Sequence, residues 1–148
     1  MKLLKLDNDL ILDYYLKEIR PLAEQGVIVW NSGLTKAQVS DIEKIQKVAL
    51  LIILGEDYSK YPVACQSFDI STLTTRRAQL CENFALKLYL GPRREQFFTT
   101  LQPNVDIRKI TQLVKENTCR TTRCFNAPHN YIARLVNRNI DKLVKCVK

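Results

Sequence analysis

The stretch NSGLTKAQVSDIEKIQKVALLIILG, residues 31–55, decides the fold prediction because it reads as a single helix with both ends marked. Thr35 is a suitable N-cap, and Gln38 three residues later completes a capping box. Gly55 supplies the left-handed residue that commonly ends a helix. These signals predict a helix over residues 36–54, roughly 28 Å long at about 1.5 Å per residue.

The two halves of this helix differ in polarity. The first half is amphipathic, and its predicted buried stripe is Val39, Ile42, Ile45 and Ala49. Its predicted solvent face is Lys36, Ser40, Glu43, Lys44 and Lys47. The second half, VALLIIL at residues 48–54, is apolar on all sides, which predicts burial on every side. Because a membrane span needs about 20 apolar residues, we expect protein to cover this end of the helix.

The N-terminal segment combines a helical pattern with an apolar run. Asp7 or Asn8 can cap a first helix, and Pro21 is expected to kink or end it. The run VIVW at residues 27–30 is predicted to be a short buried strand or an extended stretch.

Three further helices are predicted after the long one. A short helix covers residues 61–68. A long helix is capped by Thr72 or Thr74 and ends at Gly91, with a buried stripe of Leu80, Cys81, Phe84, Ala85 and Leu88. Its other face carries Arg76, Arg77 and Lys87. After a polar segment predicted to be extended, residues 115–130, a last helix runs from about residue 130 to 147.

Composition is typical of an ordinary globular protein. The 148 residues, 46% of them hydrophobic, suffice for a real core. The run MKLLKLDNDLILDYY is not predicted to be a signal peptide, because charged residues interrupt any apolar stretch. The five cysteines are odd in number, which favours free thiols in a reducing compartment. We therefore expect a cytoplasmic or nuclear protein with no membrane segment.

Charge is distributed unevenly along the chain. Residues 1–91 contain 11 basic and 11 acidic residues, whereas residues 92–148 contain 12 basic and 4 acidic ones, so the second part holds the whole net charge of +8. A basic block of this kind usually marks a polyanionic partner, here nucleic acid before membrane. We predict a helical domain over residues 1–91 and a basic, partly extended segment over residues 92–148.

Residues for catalysis or cofactor binding are hard to find in this sequence. The one histidine, His129, lies in a predicted loop without a Ser or acid partner, and four glycines form no phosphate-binding loop. A zinc site would have to use Cys119, Cys124, His129 and Cys146. Its last gap, of sixteen residues, fits poorly with ligand pairs separated by about two to four residues, and the gaps of four are at the upper end of that range. We expect no catalytic residue, no metal and no cofactor.

Four segments together resemble the region that follows the polymerase palm in reverse transcriptases of jockey-like non-LTR retrotransposons. The clearest is residues 29–55, which fit the family pattern V-W-x-x-G-L-T-x-x-Q-x-x-x-I-E-x-I-Q-K-x-A-x-x-I-I-L-G. Residues 14–30 resemble the helix that leads into the thumb. Residues 72–88 resemble an R-R-x-x-L-C-x-x-F-A helix, and residues 119–137 resemble the closing C-R-T-x-R-Y-x-x-S-P-x-P-Y-x-x-x-L-L-N. These segments extend from residue 14 to residue 137 of the 148.

Four positions depart from the family pattern. Cys124 stands where an aromatic residue is usual, Ala127 where Ser is usual, and Asn130 where a second Pro is usual. Asp69 replaces a glycine between two helices. The first three weaken the expectation of a stiff basic loop near the C-terminus.

The resemblance implies a mainly α fold, a helical thumb-like bundle with a basic tail. It also implies a non-catalytic C-terminal fragment of an RNA-directed DNA polymerase, because the fingers, the palm and its metal-binding aspartates are absent from this sequence. The inherited role would be to hold template and primer, RNA or an RNA/DNA hybrid, through phosphates. The residues expected to bind nucleic acid are Arg76, Arg77, Arg120, Arg123, Tyr131, Arg134 and Arg138.

Two other readings stay open. The chain can be a stand-alone helical module that binds a protein partner through its exposed apolar face. As a fragment of the polymerase, it would instead cover its exposed apolar surface with the missing palm or by self-association. It can also be a non-functional truncated copy, since elements of this family characteristically lose their 5′ ends on insertion.

Overall fold

The structure is a computed structural model that describes residues 7–99 and 112–146, the last three of these by their backbone alone. Its regular structure within those ranges is helical, without strands, in agreement with the predicted mainly α class. The chain divides into two compact units. The first consists of residues 1–26 and 34–77, and the second of residues 27–33 and 78–148. The predicted domain boundary at Gly91 stays a prediction.

The helices are short apart from α4, α6 and α9. In chain order they are α1 (Asn8–Tyr14), α2 (Arg20–Glu24), α3 (Val27–Trp30), α4 (Lys36–Leu54), α5 (Tyr61–Ser67), α6 (Leu73–Leu90), α7 (Arg94–Phe97), α8 (Thr122–Phe125), α9 (Pro128–Arg138) and α10 (Ile140–Cys146). A π-helical turn, Tyr15–Ile19, joins α1 to α2. Two 3-10 turns, Asn31–Gly33 and Gly55–Asp57, flank α4.

Pro21 does not end the first helical segment. It lies near the start of α2, and helical backbone precedes it in the π-helical turn Tyr15–Ile19. The helical backbone continues to Glu24 and stops at Gly26, whose φ is 65°. The glycine, not the proline, therefore sets the end.

The predicted bounds of α4 are confirmed, and so is its capping chemistry. The hydroxyl of Thr35 accepts the N–H of Gln38 at 3.3 Å, and the Gln38 side chain accepts the N–H of Thr35 at 2.9 Å. Gly55 ends the helix with a φ of 57°. Both signals are local, so they work without knowledge of the rest of the fold.

The predicted burial of α4 is wrong in three respects. None of the predicted buried stripe, Val39, Ile42, Ile45 and Ala49, is fully buried, and Ile45 is exposed. The buried residues are Glu43, Gln46, Leu50 and Ile53, so Glu43 does not face water as predicted. The apolar half is buried on one side only, because Val48, Leu51 and Ile52 are each about half exposed. The buried side of α4 is a mixed stripe of polar and aliphatic residues.

Hydrogen bonds explain why polar residues occupy that stripe. Gln46 accepts the hydroxyl of Tyr15 at 3.0 Å and donates to the carbonyl of Ser71 at 3.1 Å. The carboxylate of Glu43 accepts from the backbone of Leu73 and Thr74, where α6 begins. Buried polar groups are tolerated when their hydrogen bonds are satisfied, as they are here.

An apolar cluster completes the first unit. Its fully buried members are Leu50, Ile53, Ala64 and Cys65, contributed by α4 and α5. After α5 the chain reverses at Asp69, whose φ of 50° makes it the one described non-glycine residue with a positive φ. The backbone N–H of Asp69 donates to the carbonyl of Gln66, and the backbone N–H of Ile70 donates to the carbonyl of Cys65. This pair of hydrogen bonds is the Schellman motif that closes a helix.

The strand or extended stretch predicted for VIVW is wrong, because residues 27–30 form α3. A four-residue apolar run has no diagnostic period, so burial alone cannot separate strand from helix. Val27 is buried in the core of the second unit, and its carbonyl accepts from the Cys81 thiol at 4.0 Å.

Helix α6 follows the prediction at both ends but not on its polar face. The hydroxyl of Thr72 accepts the N–H of Thr75 at 3.2 Å, and the helix ends at Leu90. Arg77 was assigned to the solvent face, yet it is 1% exposed. It lies four residues after Leu73 and four before Cys81, which are both buried, so helical spacing places it on the buried side.

The C-terminal helix is divided in two. Helix α9 presents Ile132, Leu135 and Val136 to the core as predicted. Asn139 interrupts the helix, with its side chain donating to the Leu135 carbonyl at 2.9 Å, and α10 follows. Residue 147, the predicted end, lies outside the described residues.

The segment predicted to be extended, residues 115–130, is only partly so, because it contains α8 and the first turn of α9. The non-helical residues just before it are held by Asn137 of α9. The Asn137 side chain accepts the N–H groups of Leu113 and Val114 and donates to the Glu116 carboxylate at 2.7 Å. Asn137 therefore fixes this segment of the second unit against α9.

Candidate nucleic-acid interface

Helix α9 brings three of the predicted site residues together. Tyr131, Arg134 and Arg138 are spaced by three and four residues, which places them along one side of a helix. Arg138 is exposed and Arg134 is half-buried. The two guanidinium groups therefore form a short basic stripe on the second unit.

Local sequence explains why α9 begins where it does. Pro128 occupies the first turn, where a proline is well tolerated. The N-cap position is held by Ala127, which makes no side-chain cap hydrogen bond. A serine, the usual residue at this position in the family that the sequence resembles, would accept a first-turn N–H.

Arg134 is oriented by an aromatic ring. Its guanidinium carbon lies 3.6 Å from the ring centroid of Phe125, the last residue of α8. A cation over an aromatic face at this distance is attracted by the ring quadrupole. Phe125 is half exposed, so the pair lies at the surface of the second unit. The stacking leaves guanidinium donors available while restricting the side chain.

Arg120 and Arg123 lie just before and within α8, and both are exposed. The hydroxyl of Thr121 accepts the N–H of Cys124 at 3.2 Å and caps this short helix. The same cap holds the backbone that carries both arginines. The five predicted site residues of the C-terminal part thus belong to the second unit, on α9 and around α8.

Tyr131 is less open than its assigned stacking role suggests. Its ring is half-buried and packs against the core of the second unit. Burial raises the pKa of Tyr131 above its ordinary value, partly offset by a hydrogen bond with Asn31 and by the charges of Arg138 and Arg134. The neutral phenol is therefore the form that borders the two arginines.

Arg76 and Arg77 belong to the first unit and are engaged there. Arg76 pairs with Glu24 at 3.3 Å, and its side chain is 40% exposed. Arg77 donates to the Leu73 carbonyl at 3.2 Å and to the Thr74 hydroxyl at 3.3 Å. A phosphate contact by Arg77 would require its buried side chain to leave the helix.

The division into units separates the net charge as completely as the division at Gly91 does. The first unit has 10 basic and 10 acidic residues, and the second has 13 basic and 5 acidic ones. The whole net charge of +8 therefore belongs to the second unit. The second unit also contains basic residues outside the predicted binding set. Arg93 is exposed, and the guanidinium carbon of Arg94 lies 5.3 Å from the ring centroid of Tyr89.

Phe125 is the site residue that sequence reasoning missed. It follows the cysteine that replaces the usual aromatic residue, so attention falls on Cys124 instead. Its partner Arg134 is nine positions away, and neither helical nor strand periodicity relates residues across the turn between α8 and α9. The signal that could have found it is an aromatic residue within a run of arginines.

Among the described residues, no group of three or more His, Cys, Asp or Glu side chains could hold a metal ion. Within residues 7–99 and 112–146, no helix is long and apolar enough to cross a membrane.

No protein-family model, no curated protein and no solved structure matches this chain.

Proposed function

We propose that this chain binds RNA or an RNA/DNA hybrid through phosphate contacts made by its second unit, without catalysing a reaction itself. The observation that carries the proposal is the basic side of α9, where Arg134 and Arg138 lie together beside Tyr131. The resemblance to the post-palm region of retrotransposon reverse transcriptases supports the same role, the holding of template and primer.

Electrostatics favours this proposal over binding of an uncharged ligand. A protein that neutralises phosphates with Lys and Arg releases condensed counterions, and this term is independent of sequence. The second unit holds the whole excess of positive charge, and Arg120, Arg123 and Arg138 are exposed on it. Contacts of this type position nucleic acid and carry no sequence information. We therefore expect weak sequence preference.

The stacked pair of Arg134 and Phe125 contributes pre-organisation. An arginine that is already restrained loses less side-chain entropy when it binds a phosphate than a freely rotating one. The 3.6 Å stacking distance indicates such restraint. We therefore expect the phosphate contact of Arg134 to contribute more to the binding free energy than that of any other arginine in the predicted set.

The test compares two triple variants with equal loss of charge. Arg120→Gln/Arg123→Gln/Arg138→Gln removes three exposed cations from the second unit, and Lys36→Gln/Lys44→Gln/Lys60→Gln removes three exposed cations from the first. Binding to a fluorescent RNA/DNA hybrid is measured by anisotropy at about 0.1 M salt. Each phosphate contact adds about 0.7–0.9 to the slope of log affinity against log salt concentration. At about 0.1 M salt, loss of three such contacts should therefore weaken binding roughly a hundredfold. Equal effects of the two variants would contradict the proposal.

A second candidate function rests on the apolar face of α4, defined here as Ile45, Val48, Leu51 and Ile52. These side chains are 40%, 53%, 49% and 60% exposed. A contiguous group of this kind often marks a protein interface. Its occupant would be the missing palm domain or a second copy of the chain. The chain would then act as a protein-interaction module.

Sedimentation velocity distinguishes this second function. Val48→Lys/Ile52→Glu should convert a self-associating chain to a monomer and change its stability by no more than about 0.5 kcal/mol, because both residues are exposed. The control, Leu50→Ala, removes a fully buried side chain and should cost about 2–5 kcal/mol while leaving the apolar face intact. A wild-type chain that stays monomeric at high concentration would count against the second copy as occupant. A chain that neither binds nucleic acid nor associates would fit the non-functional truncated copy.

A further inference from the structure

Two thiols of the second unit lie in direct contact. The sulfur of Cys124 is 3.2 Å from the sulfur of Cys119 and donates a hydrogen bond to it. Since the sulfurs of a disulfide are about 2.04 Å apart, closing the bond requires a movement of little more than about 1 Å. We propose that Cys119 and Cys124 form a reversible disulfide site, whose oxidant is a small-molecule disulfide.

The surrounding residues hold this pair in place. Asn130 is 3% exposed, and its side-chain amide donates to the Cys119 sulfur at 3.1 Å and to the Cys124 carbonyl at 2.8 Å. The hydroxyl of Thr121 accepts the N–H of Cys124 at 3.2 Å. One buried amide and one cap therefore fix both ends of the six-residue segment. The proximity of the sulfurs is a property of the folded unit.

Accessibility separates this pair from the other described thiols. Cys119 and Cys124 are half-buried, whereas Cys65 is 5% exposed and Cys81 is 1% exposed. A dissolved oxidant must reach a sulfur atom in order to react with it. Reaction should therefore begin at the pair.

The hydrogen bond between the two sulfurs affects the acidity of Cys119. The pKa of Cys119 is raised above its ordinary value, chiefly by the side-chain hydrogen bond with Cys124, and the charge of Arg134 acts in the opposite direction. One thiolate is enough to start the exchange, because the second thiolate is needed only after the first sulfur has formed the mixed disulfide.

The chemistry balances in two exchange steps. One cysteine thiolate attacks a sulfur of the small disulfide RSSR, so that a Cys–S–S–R bond forms and RS⁻ leaves. The second cysteine thiolate then attacks the cysteine sulfur, the Cys119–Cys124 bond forms and a second RS⁻ leaves. The two protons released by the cysteines protonate the two RS⁻ groups. The pair is oxidised by two electrons, and RSSR is reduced to two RSH.

The experiment uses the full chain with oxidised glutathione as RSSR. After thiols are blocked, trypsin cleaves after Arg120 and Arg123 and so places Cys119 in residues 116–120 and Cys124 in residues 124–134. We expect mass spectrometry to find these two peptides joined by a disulfide, with Cys65 and Cys81 blocked as free thiols. Reduced glutathione should restore both free peptides.

Single variants test whether each cysteine attacks the mixed disulfide that glutathione forms with the other. In Cys119→Ser and in Cys124→Ser, the remaining thiol should keep a stable glutathione adduct, which the wild-type chain should not accumulate. In concentrated urea the equilibrium constant for forming the disulfide should fall at least several-fold, because the fold no longer holds the sulfurs together. A persistent adduct on the wild-type pair, or equal constants with and without urea, would overturn the proposal. None of these measurements depends on nucleic-acid binding.

Discussion

The carboxylate of Glu43, in the middle of α4, accepts a hydrogen bond from the backbone N–H of Thr74 at 2.9 Å. The same carboxylate accepts the N–H of Leu73 at 3.0 Å, the Thr74 hydroxyl at 2.6 Å and the Tyr61 hydroxyl. The first N–H groups of a helix have no partner within the helix, and the positive end of its dipole favours an anion there. Glu43 therefore caps α6 from another helix.

Glu43→Ala should lower the free energy of unfolding by about 3 kcal/mol, because it leaves several buried donors without an acceptor. Urea unfolding followed by circular dichroism measures the change. Glu56→Ala removes an exposed acid of the turn after α4 and should alter stability by no more than about 0.5 kcal/mol. Similar costs for the two variants would show that Glu43 does not cap α6.

Asp69 occupies the left-handed position that closes α5, with a φ of 50°. Asp69→Gly should stabilise the chain by about 0.5 kcal/mol, because glycine adopts a positive φ without the strain that a side chain adds. Asp69→Ala should destabilise it by about 0.5–1 kcal/mol, since Ala lacks the polar side chain that helps Asp in this region. Thermal unfolding of the two variants and the wild type shows whether each substitution raises or lowers the stability. A glycine variant no more stable than the alanine variant would contradict this reading of the turn.

Ala127 is the N-cap of α9, with φ −57° and ψ 139°, and makes no side-chain cap hydrogen bond. Ala127→Ser should stabilise the chain by about 1 kcal/mol by accepting a first-turn N–H. Ala127→Val is the matched control, because valine is as poor an N-cap as alanine. Urea unfolding measures both stabilities. Equal midpoints for Ala127→Ser and Ala127→Val would contradict the prediction that α9 lacks an N-cap.

Stability at high pH should depend on Tyr15, which is 1% exposed. Burial raises the pKa of Tyr15 above its ordinary value of 10.0, so the folded state favours the neutral phenol. The resulting stability is complete below pH 10 and is lost as the pH rises from there through the folded-state pKa. The loss is about 1.4 kcal/mol per pH unit for one tyrosine.

Tyr15→Phe removes this ionisation and also the hydrogen bond to Gln46, which should cost about 1 kcal/mol at pH 7. The difference in stability between the wild type and Tyr15→Phe should therefore shrink above pH 10. Tyr14→Phe, at the adjacent exposed position, is the control. Unfolding curves at several pH values give the comparison. A constant difference between wild type and Tyr15→Phe would contradict the role assigned to burial.

Sequence reasoning succeeded where the determinants are close together in the chain. The bounds of α4 follow from Thr35, Gln38 and Gly55, whose hydrogen bonds and backbone angles form locally. The apolar side of α9 follows from helical spacing in the same way. Both rest on contacts between residues a few positions apart.

It failed where the partner is distant. Glu43 is predicted to face water and Gln46 is absent from the predicted buried stripe, but their partners Leu73, Thr74 and Tyr15 are about 30 residues away. Only the fold brings those groups together. In the candidate site, the family resemblance and the basic charge singled out Arg134 and Arg138 as separate residues, whereas the stacking of Arg134 on Phe125 depends on the turn between α8 and α9.

The dependence of hybrid-binding affinity on salt tests the central claim most directly, because it counts the phosphates that the second unit neutralises. For about five contacts, the logarithm of the association constant should fall against the logarithm of salt concentration with a slope of about −3.5 to −4.5. In Arg120→Gln/Arg123→Gln/Arg138→Gln the slope should become shallower by about 2 to 3, and in Lys36→Gln/Lys44→Gln/Lys60→Gln it should not change. A flat dependence for the wild type, or equal slopes for the two variants, would contradict phosphate binding by the second unit.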